Sequence, residues 1–525
     1  MSDFQSYSLS RRSFLAGSAA AAALPGVLLH GLPRAAMAAA ERARKEGLNV
    51  LFLMTDEQHW RSLSLTGNTL IRTPHMDRIG REGARFDNAT CVTPYCSPSR
   101  ASFITGQYPH RHRILTNVSK DAKQPPLKPD AFPNTEMLLH KAGWRTAHRG
   151  KWHLGDTGDF ACYKSRTYAD AGDGSYNRLL AEKLPAGRFK DHPSPGKYLG
   201  RPVEMKPEVE KAYRAFKALP NNRLAYIGII GRSLVPPELL PETQITNGAI
   251  EQIERAGDKP FMITASWSPP HDLWVIPEPY YSLVDRSKVE LSAFDAPAGW
   301  DCTGPSRRLG ELMGEAGLRE YAAIYHGMVN YIDDQVGRIL QRLDELKLAE
   351  RTLVIFTSDH GDMVGSHRCV GKSIQGFYDD LVRIPLLMRL PGRIRPGTVV
   401  SQPVSQIDLM PTILDYAGLP AAAATHGRSL RPLIEGRPDG WRDYAFCMRA
   451  DNSRMLRTAE HKYVISLRPR QELALYDLRA DPHEQRSLAG DAAHAAILRR
   501  LHRRLVEVMM ADGDPLAAKM PKEPL

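Results

Sequence analysis

Four short strand-like runs along the chain each end at a group of polar residues. They are Val50–Met54 in NVLFLMTDEQHW, Thr146–His148 in GWRTAHRGKWHLG, Phe261–Ala265 in KPFMITASWSPPHD and Leu353–Phe356 in RTLVIFTSDHGD. Continuous runs of this length are typical of strands that are buried on both faces of a parallel sheet. Open parallel sheets bind ligands at the carboxyl ends of their strands, so the four ends are expected to meet in one cleft.

Helical periodicity separates these runs. In its clearest example, GLREYAAIYHGMVNYIDDQVGRILQRLDELKL, the apolar positions at helical spacing are Tyr321, Ile324, Met328, Ile332, Ile339 and Leu343. We expect this helix to pack against the sheet. The pattern predicts an α/β fold, with a large, mostly parallel sheet flanked by helices.

The pattern changes twice further along the chain. Residues 156–247 are polar, rich in Pro and Gly and without clear period, which predicts a long insertion on the substrate side of the site. After PTILDYAGLP come four short strand candidates (RDYAFCMRA, RMLRTAE, KYVISLR and ELALYDL) and one helix, AAILRRLHRRLVEVMM. We therefore predict a catalytic domain over residues 47–425 and a smaller C-terminal domain over 426–525, an antiparallel sheet with a helix.

The first forty residues have the pattern of an export signal. An arginine pair in SRRSFL precedes a weakly apolar, alanine-rich stretch and then AAMAAA, which offers small-residue cleavage sites. The pattern resembles a bacterial twin-arginine signal, with a membrane anchor as the alternative. Gly, Pro and His interrupt the stretch, which favours a cleaved signal. We expect residues 1–40 to direct a folded protein through the twin-arginine translocase, giving a periplasmic or secreted protein with no stable membrane span.

Composition narrows the classes of function. A chain of 525 residues that is 42% hydrophobic can build one large core and a smaller domain. The formal charge of +11 favours anionic ligands, but no basic block interleaved with aromatic residues points to nucleic acid. The six cysteines form no Cys-x-x-Cys pair, so neither a disulfide scaffold nor a zinc site is indicated.

Two residue pairs at strand ends are candidate metal ligands. Asp56-Glu57 and Asp359-His360 offer hard oxygen atoms, which favour Ca²⁺ or Mg²⁺, and an imidazole, which shifts the preference slightly towards Mn²⁺ or Zn²⁺. Either pair alone is more often a solvated turn.

A third candidate is the cysteine of CSPSR. We expect Ser97 to cap a helix and Pro98 to be its first residue, so that Cys96 lies at the positive end of the helix with Arg100 on the same face. The alternatives are a buried small apolar side chain and a thiolate nucleophile.

CSPSR followed by ASFITG resembles the signature of the formylglycine-dependent sulfatases, which share the alkaline-phosphatase-like fold. The resemblance extends from about residue 49 to 420, and LALYDLRADPHEQRSLAG near the C-terminus is also similar to sulfatases. It implies that a formylglycine-generating enzyme oxidises Cys96 to 3-oxoalanine on the unfolded chain. One hydroxyl of the aldehyde hydrate then attacks, and the other later expels the product.

The resemblance also implies roles for the polar residues. Asp56, Glu57, Asp359 and His360 would hold one divalent metal, most simply Ca²⁺, with Mg²⁺, Mn²⁺ or Zn²⁺ and a Gln58 ligand in place of Glu57 as alternatives. Arg100 and Lys151 would bind the modified residue and the anion. His271 or Lys372 would protonate the leaving oxygen, and His153 would accept the second hydroxyl's proton. Structural histidines and surface lysines are the ordinary alternatives for these four residues.

The expected reaction is hydrolysis of a small anionic sulfate ester to an alcohol and inorganic sulfate. Many sulfatases have Asp-Asp and Asp-Asn where this chain has Asp56-Glu57 and Asp359-His360. The second difference resembles the branch that contains choline sulfatases and phosphonate monoester hydrolases. Hydrolysis of a phosphonate or phosphate ester is therefore the alternative, and a non-catalytic anion-binding protein is a third. Trp267 and Trp274 flank His271 and either stack on a substrate ring or pack in the core.

Overall fold

The structure is a computed structural model and describes residues 47–118, 124–128, 131–155, 183, 203–220, 222, 224–297, 299–420, 422, 425–450, 452–467 and 471–524. The predicted export signal and residues 156–182 and 184–202 of the predicted insertion lie outside the described residues. Within these ranges, no helix combines the length and the apolar character that a membrane crossing requires.

Within the described residues, strands and helices follow one another from Asn49 to Ile434, and an antiparallel sheet comes after them. The strands are β1 (Asn49–Asp56), β2 (Ala84–Phe86), β3 (Ala89–Thr90), β4 (Arg145–Gly150), β5 (Val203–Glu204), β6 (Ile230–Ser233), β7 (Phe261–Pro270), β8 (Trp274–Ile276), β9 (Thr352–Ser358), β10 (Leu386–Arg389), β11 (Thr398–Val400), β12 (Val404–Ser405), β13 (Ala445–Arg449), β14 (Ser453–Arg457), β15 (His461–Ser466) and β16 (Glu472–Asp477). The α-helices are α1 (Pro74–Arg81), α2 (Cys96–Thr105), α3 (Pro109–His112), α4 (Thr135–Lys141), α5 (Pro207–Lys217), α6 (Pro241–Glu254), α7 (Pro305–Glu345), α8 (Asp379–Val382), α9 (Leu409–Tyr416), α10 (Arg431–Ile434) and α11 (Ala495–Ala511).

A seven-stranded sheet forms the centre of the molecule, in the order β11-β2-β10-β9-β1-β7-β4. The strands β9, β1, β7 and β4 run parallel, β10 is antiparallel to β9 and to β2, and β11 is parallel to β2. All four strands predicted from the sequence therefore lie side by side and point the same way. The predicted α/β class with a mostly parallel sheet is confirmed.

Both faces of this sheet are covered. Along β1, Val50, Phe52 and Met54 belong to one apolar cluster, whereas Leu51 and Leu53 belong to the cluster on the opposite face. Successive side chains of a strand point to opposite faces, so a strand buried on both needs an unbroken apolar run. The VLFLM run of β1 meets this need.

Helix α7 is the longest element and packs against β7. The six apolar positions predicted to face the sheet, Tyr321 to Leu343, are all buried. The helix starts earlier than predicted, at Pro305, and is kinked at Gly314, where φ is 63°. Glycine tolerates this left-handed conformation at little cost.

The four C-terminal strands form an antiparallel sheet in the order β13-β14-β15-β16, with α11 packed against β14 and β15. Buried ion pairs join this sheet to α8. Arg457 contacts Asp379 at 2.8 Å, and the Nζ of Lys462 lies 2.7 Å from Asp379 and 2.6 Å from Glu484. The predicted sheet-plus-helix architecture is confirmed, while the boundaries at 425 and 426 stay predictions.

Candidate active site

The polar strand ends meet at one edge of the central sheet. Asp56 is the last residue of β1, Lys151 follows β4, His271 follows β7 and Asp359 follows β9. Because the four strands are parallel neighbours, their carboxyl ends lie together. The pairs separated by about three hundred residues in sequence are in contact, since the backbone N–H of Glu57 donates to Oδ1 of Asp359 at 3.0 Å.

A buried cluster forms where the strand ends meet. Asp56, Cys96, Asp359 and His360 each present one ligand atom, and these atoms all lie within 4.8 Å of one another. The Sγ of Cys96 lies 3.4 Å from Nε2 of His360 and 3.6 Å from Oδ1 of Asp56. All four residues are completely buried. Chemistry at this point is therefore separated from bulk water by the protein.

Glu57 lies next to this group, whereas Gln58 points away from it. Oε2 of Glu57 contacts Nζ of Lys372 and lies 3.5 Å from Nε2 of His271. The amide of Gln58 instead donates to the carbonyl of Ser62 at 3.2 Å. Glu57 has a φ of 66°, so the chain turns sharply directly after β1 and sends the two side chains in different directions.

Helix α2 places Cys96 at the cluster. The helix begins at Cys96 itself, with Tyr95 as its N-cap residue, so the prediction that Ser97 caps the helix is wrong. The hydroxyl of Ser97 donates to the carbonyl of His153 at 2.6 Å and accepts from the N–H of Val118 at 3.0 Å, which fixes two neighbouring loops instead. Cys96 still lies in the first turn, where the helix dipole is positive.

Arg100 bridges the two halves of the cluster. Its guanidinium lies 2.7 Å from Oδ2 of Asp56 and 2.9 Å from Oδ2 of Asp359, and it also donates to the carbonyl of Lys151 and the hydroxyl of Ser266. The side chain is 2% exposed. A planar, permanently charged group suits this fixed position between two carboxylates.

Two lysines bring further positive charge to the cysteine. Nζ of Lys151 lies 2.6 Å from Oδ2 of Asp56 and 3.8 Å from Sγ of Cys96. Burial alone would raise the pKa of the Cys96 thiol, as would Asp56, but Lys151, Lys372 and His360 hold that pKa well below its usual range. Burial likewise opposes ionisation of Asp56, yet Lys151, His271 and Arg100 hold its pKa well below normal. The cluster therefore favours a negative group at position 96.

The two candidate histidines have opposite electrostatic environments. Burial would lower the pKa of His271, but Asp272, whose Oδ1 lies 2.9 Å from Nδ1, together with Asp56 raises it well above the usual value. Burial lowers the pKa of His153, whose Nδ1 has no hydrogen-bond partner among the described residues. His271 is therefore charged and His153 neutral near pH 7.

The donor set fits a divalent cation. Two carboxylates and one imidazole converge on one buried point, and Glu57 is adjacent. Burial and the neighbouring Asp56 raise the pKa of Asp359 to about 6, which shows how closely the negative groups are crowded. A bound cation relieves such crowding, and oxygen with one nitrogen suits Ca²⁺, Mg²⁺ or Mn²⁺.

Sequence comparison identifies the family. The family model described as "Sulfatase" matches residues 48–419, and the model "N-sulphoglucosamine sulphohydrolase, C-terminal" matches residues 365–511. The chain belongs to the sulfatase family. It is therefore a hydrolase of that family, and the recognition made from CSPSR is confirmed.

Individual relatives of this sulfatase align over most of its length. It is 28% identical to N-acetylglucosamine-6-O-sulfatase of Bacteroides thetaiotaomicron, over 94% of this chain and 92% of the relative. It is 29% identical to the multifunctional alkaline phosphatase superfamily protein PehA of Trinickia caryophylli, over 89% of this chain and 96% of the relative. A solved phosphonate monoester hydrolase from Silicibacter pomeroyi is similar with a TM-score of 0.67 and 26% identity, covering 89% of this chain and 96% of that one.

A cavity of about 310 Å³ opens beside the cluster of this sulfatase. Glu57, His271 and Lys372 line its inner side. The predicted insertion contributes Leu224, Tyr226 and Ile227, and the C-terminal sheet contributes Arg449. Part of the predicted insertion therefore lines this cavity, while its bounds and its role in substrate choice stay predictions. Trp274 also lines the cavity, whereas Trp267 is buried in the core and donates to Thr246 at 3.2 Å.

Several site residues escape sequence reasoning. The hydroxyl of Tyr325 on α7 donates to the carbonyl of Glu57 at 2.6 Å, and Tyr321 contacts the buried carboxylate of Asp362. Their helical spacing marks them as core residues, and only their hydroxyls signal a polar partner. Arg449 is equally unexpected, because nothing in the local sequence links a C-terminal strand to a site at residue 96.

Proposed function

We propose that the chain hydrolyses a sulfate monoester at the buried cluster around Cys96. The observation that carries the proposal is the convergence of Asp56, Cys96, Asp359 and His360 within 4.8 Å, enclosed by Arg100, Lys151 and Lys372. An oxidised Cys96 would supply a hydrated aldehyde as nucleophile, and a divalent cation held by Asp56, Glu57, Asp359 and His360 would supply Lewis acidity, Ca²⁺ being the first candidate.

The cations of the site bind and orient the transferred group. Lys151 places an ammonium group 3.8 Å from Sγ of Cys96, Lys372 lines the cavity, and Arg100 keeps the carboxylates fixed. Negative charge grows on the oxygens of the group during transfer, and fixed positive partners in a dry site stabilise it. Removing one such donor typically costs about a hundredfold to a thousandfold in rate.

The two histidines divide the proton transfers. His271 lies on the cavity wall and holds a proton because Asp272 raises its pKa, so it donates to the leaving oxygen. His153 is neutral and half-buried near Cys96, so it accepts the proton of the remaining hydroxyl. Opposite pKa shifts of this kind are how one site performs acid and base steps at the same pH.

The cellular location belongs to the same proposal. The SRRSFL pattern and the alanine-rich stretch after it support export through the twin-arginine translocase to the periplasm or beyond.

Hydrolysis of a phosphonate monoester is the second candidate. It is supported by the 26% identity to the Silicibacter pomeroyi enzyme over 89% of this chain and by the similarity to PehA. Both substrates are tetrahedral anions that the same cationic cluster would bind.

The test is a mass measurement combined with a substrate comparison. Protein is produced together with a formylglycine-generating enzyme, and the tryptic peptide that ends at Arg100 is weighed. Release of phenol from phenyl sulfate and from phenyl phenylphosphonate is then measured on the same preparation. We expect an aldehyde at position 96 and a higher kcat/KM for the sulfate ester. An intact thiol at Cys96 in active protein would refute the mechanism, and a higher kcat/KM for the phosphonate would favour the second candidate.

A further inference from the structure

Among the residues that the structure describes, the cavity beside Cys96 is lined by one cation, Arg449, that the proposed reaction does not use. The two other cationic side chains of the cavity each have a carboxylate partner, since Lys372 contacts Glu57 and His271 contacts Asp272. Arg449 also lines the cavity, but no carboxylate in the described part of the chain is close enough to pair with its guanidinium. Its charge is therefore uncompensated by these residues.

Neutral groups hold Arg449 in place. It is the last residue of β13, and its guanidinium donates to the hydroxyl of Tyr95 at 2.7 Å and to the carbonyl of Ile374. The guanidinium also lies over the Tyr95 ring, 4.9 Å from its centre. These contacts fix the orientation of the planar guanidinium without neutralising its charge. Such an orientation suits bidentate binding of a carboxylate or sulfate.

The position of Arg449 separates it from the reacting group. Tyr95 directly precedes Cys96, and Arg449 contacts the hydroxyl at the far end of the Tyr95 side chain rather than the cluster itself. The sulfate that is cleaved would lie at Lys151, Lys372 and His271. An anion on Arg449 must then belong to the alcohol part of the substrate. Burying part of a charge without a counter-ion is costly, which is why an anionic ligand would be favoured there.

The rest of the cavity indicates the shape of that alcohol. Leu224, Tyr226, Ile227 and Trp274 give the wall an apolar and aromatic part. Sites of this kind bind a ring and use a few polar groups to orient it. We propose that Arg449 forms a second anion subsite, so that the substrate is a sulfated ring alcohol that carries another anionic group. The proposal rests on the proposed function.

The alternative role for Arg449 is structural: by donating to the carbonyl of Ile374, it would hold the loop that carries Lys372. A bracing role would affect all substrates alike, whereas a subsite would affect only the charged ones. Binding and turnover are therefore compared for phenyl sulfate, 3-carboxyphenyl sulfate and 1,3-phenylene disulfate. Binding is measured by calorimetry on the full-length Cys96→Ala variant, which cannot turn the esters over, and kcat/KM on the modified wild-type enzyme.

We expect the charged esters to bind about tenfold or more tightly than phenyl sulfate. Arg449→Gln, made in both backgrounds, should reduce that preference to within about threefold, and Arg449→Lys should retain part of it. Arg500→Gln is the matched control, because Arg500 is exposed on α11 and its loss changes net charge equally. Comparing the affinities of 3-carboxyphenyl sulfate and 1,3-phenylene disulfate shows which anion the subsite prefers.

Equal binding of charged and neutral esters would overturn the proposal. An equal loss for all three esters in Arg449→Gln would also overturn it, in favour of the bracing role. If the modified enzyme released no phenol from any ester, the proposed function would fail, while binding to the Cys96→Ala protein would still decide whether the subsite exists.

Discussion

Replacing His271 with Asn should impair the enzyme in proportion to how poorly the alcohol leaves. The imidazole is held by Asp272, at 2.9 Å from Oδ1 and 2.8 Å from the carbonyl, and Nε2 faces the cluster. Asp272 and Asp56 raise its pKa against the effect of burial, so the ring carries a proton at neutral pH. Asn keeps a polar side chain but cannot deliver that proton.

The size of the effect follows from the step that needs the proton. A positioned general acid contributes about a hundredfold to ten-thousandfold when the leaving group is a poor one. An alkyl sulfate should therefore lose roughly that factor in kcat/KM in His271→Asn. 4-Nitrophenyl sulfate releases a stabilised phenolate and needs little protonation, so its loss should stay under about tenfold.

The assay is the dependence of kcat/KM on the acidity of the leaving alcohol, over a series of aryl and alkyl sulfates. Lys372→Met is the matched comparison. Lys372 contacts Glu57 and supplies positive charge. Its loss should therefore lower kcat/KM for all substrates by a similar factor of about a hundred. A steep dependence in Lys372→Met and a shallow one in His271→Asn would reverse the two assignments. Equal losses for good and poor leaving groups in both variants would refute leaving-group protonation by either residue.

Four further outcomes are expected. Cys96→Ala should abolish turnover while its circular dichroism stays that of the wild type. Exhaustive chelation should abolish activity, a divalent cation should restore it, and Asp359→Asn should resist restoration because a ligand is missing. Burial lowers the pKa of His326 to about 3, below the value of about 6.5 in the unfolded chain, so the unfolded state binds the extra proton and stability falls as the pH drops below about 6.5. His326→Gln should reduce that loss by about 1.4 kcal/mol per pH unit between pH 6 and 4, measured by urea unfolding. Asp514→Asn should cost about 3–5 kcal/mol in thermal unfolding, because Arg454, 1% exposed, would be left as a buried, unpaired charge.

Each of these has a clear contrary result. Turnover by Cys96→Ala would refute nucleophilic chemistry at that residue, and activity that survives chelation would refute the metal site. An unchanged dependence of stability on pH in His326→Gln would show that His326 is not the cause of the stability lost in acid. A loss below about 1 kcal/mol in Asp514→Asn would show that Arg454 finds another partner or water.

The sequence predicts the centre of the sheet well because its strands must satisfy a strong constraint. Burial on both faces requires unbroken apolar runs such as VLFLM in β1, and parallel neighbours then bring Asp56, Lys151, His271 and Asp359 to one edge. The outer strands β10, β2 and β11 have no such signal, since they are short and joined by mixed pairings.

Other features of the site depend on the path of the backbone, which periodicity does not encode. Ser97 looks like a helix cap, but the helix starts at Cys96, two residues before the predicted Pro98, and the Ser97 hydroxyl bonds to His153 and Val118. The sequence alone does not decide whether Glu57 or Gln58 faces the cluster. The left-handed backbone conformation at Glu57 directs the two side chains to different sides. Arg449 reaches the cavity only because the C-terminal sheet packs beside Tyr95.

If Cys96 is oxidised as proposed, its complete burial in the folded protein limits when that oxidation can take place. An enzyme that modifies this thiol must act before β1, β4, β7 and β9 assemble, because afterwards the residue has no exposed surface. We expect that assembly to be slow, since the contact between Glu57 and Asp359 joins residues 302 apart in sequence and long-range parallel pairing limits folding rates. Under the proposed mechanism, oxidation of Cys96 would therefore compete with folding. A variant that folds faster would yield more well-folded but inactive protein, and slower synthesis or a lower temperature would shift the yield towards active enzyme.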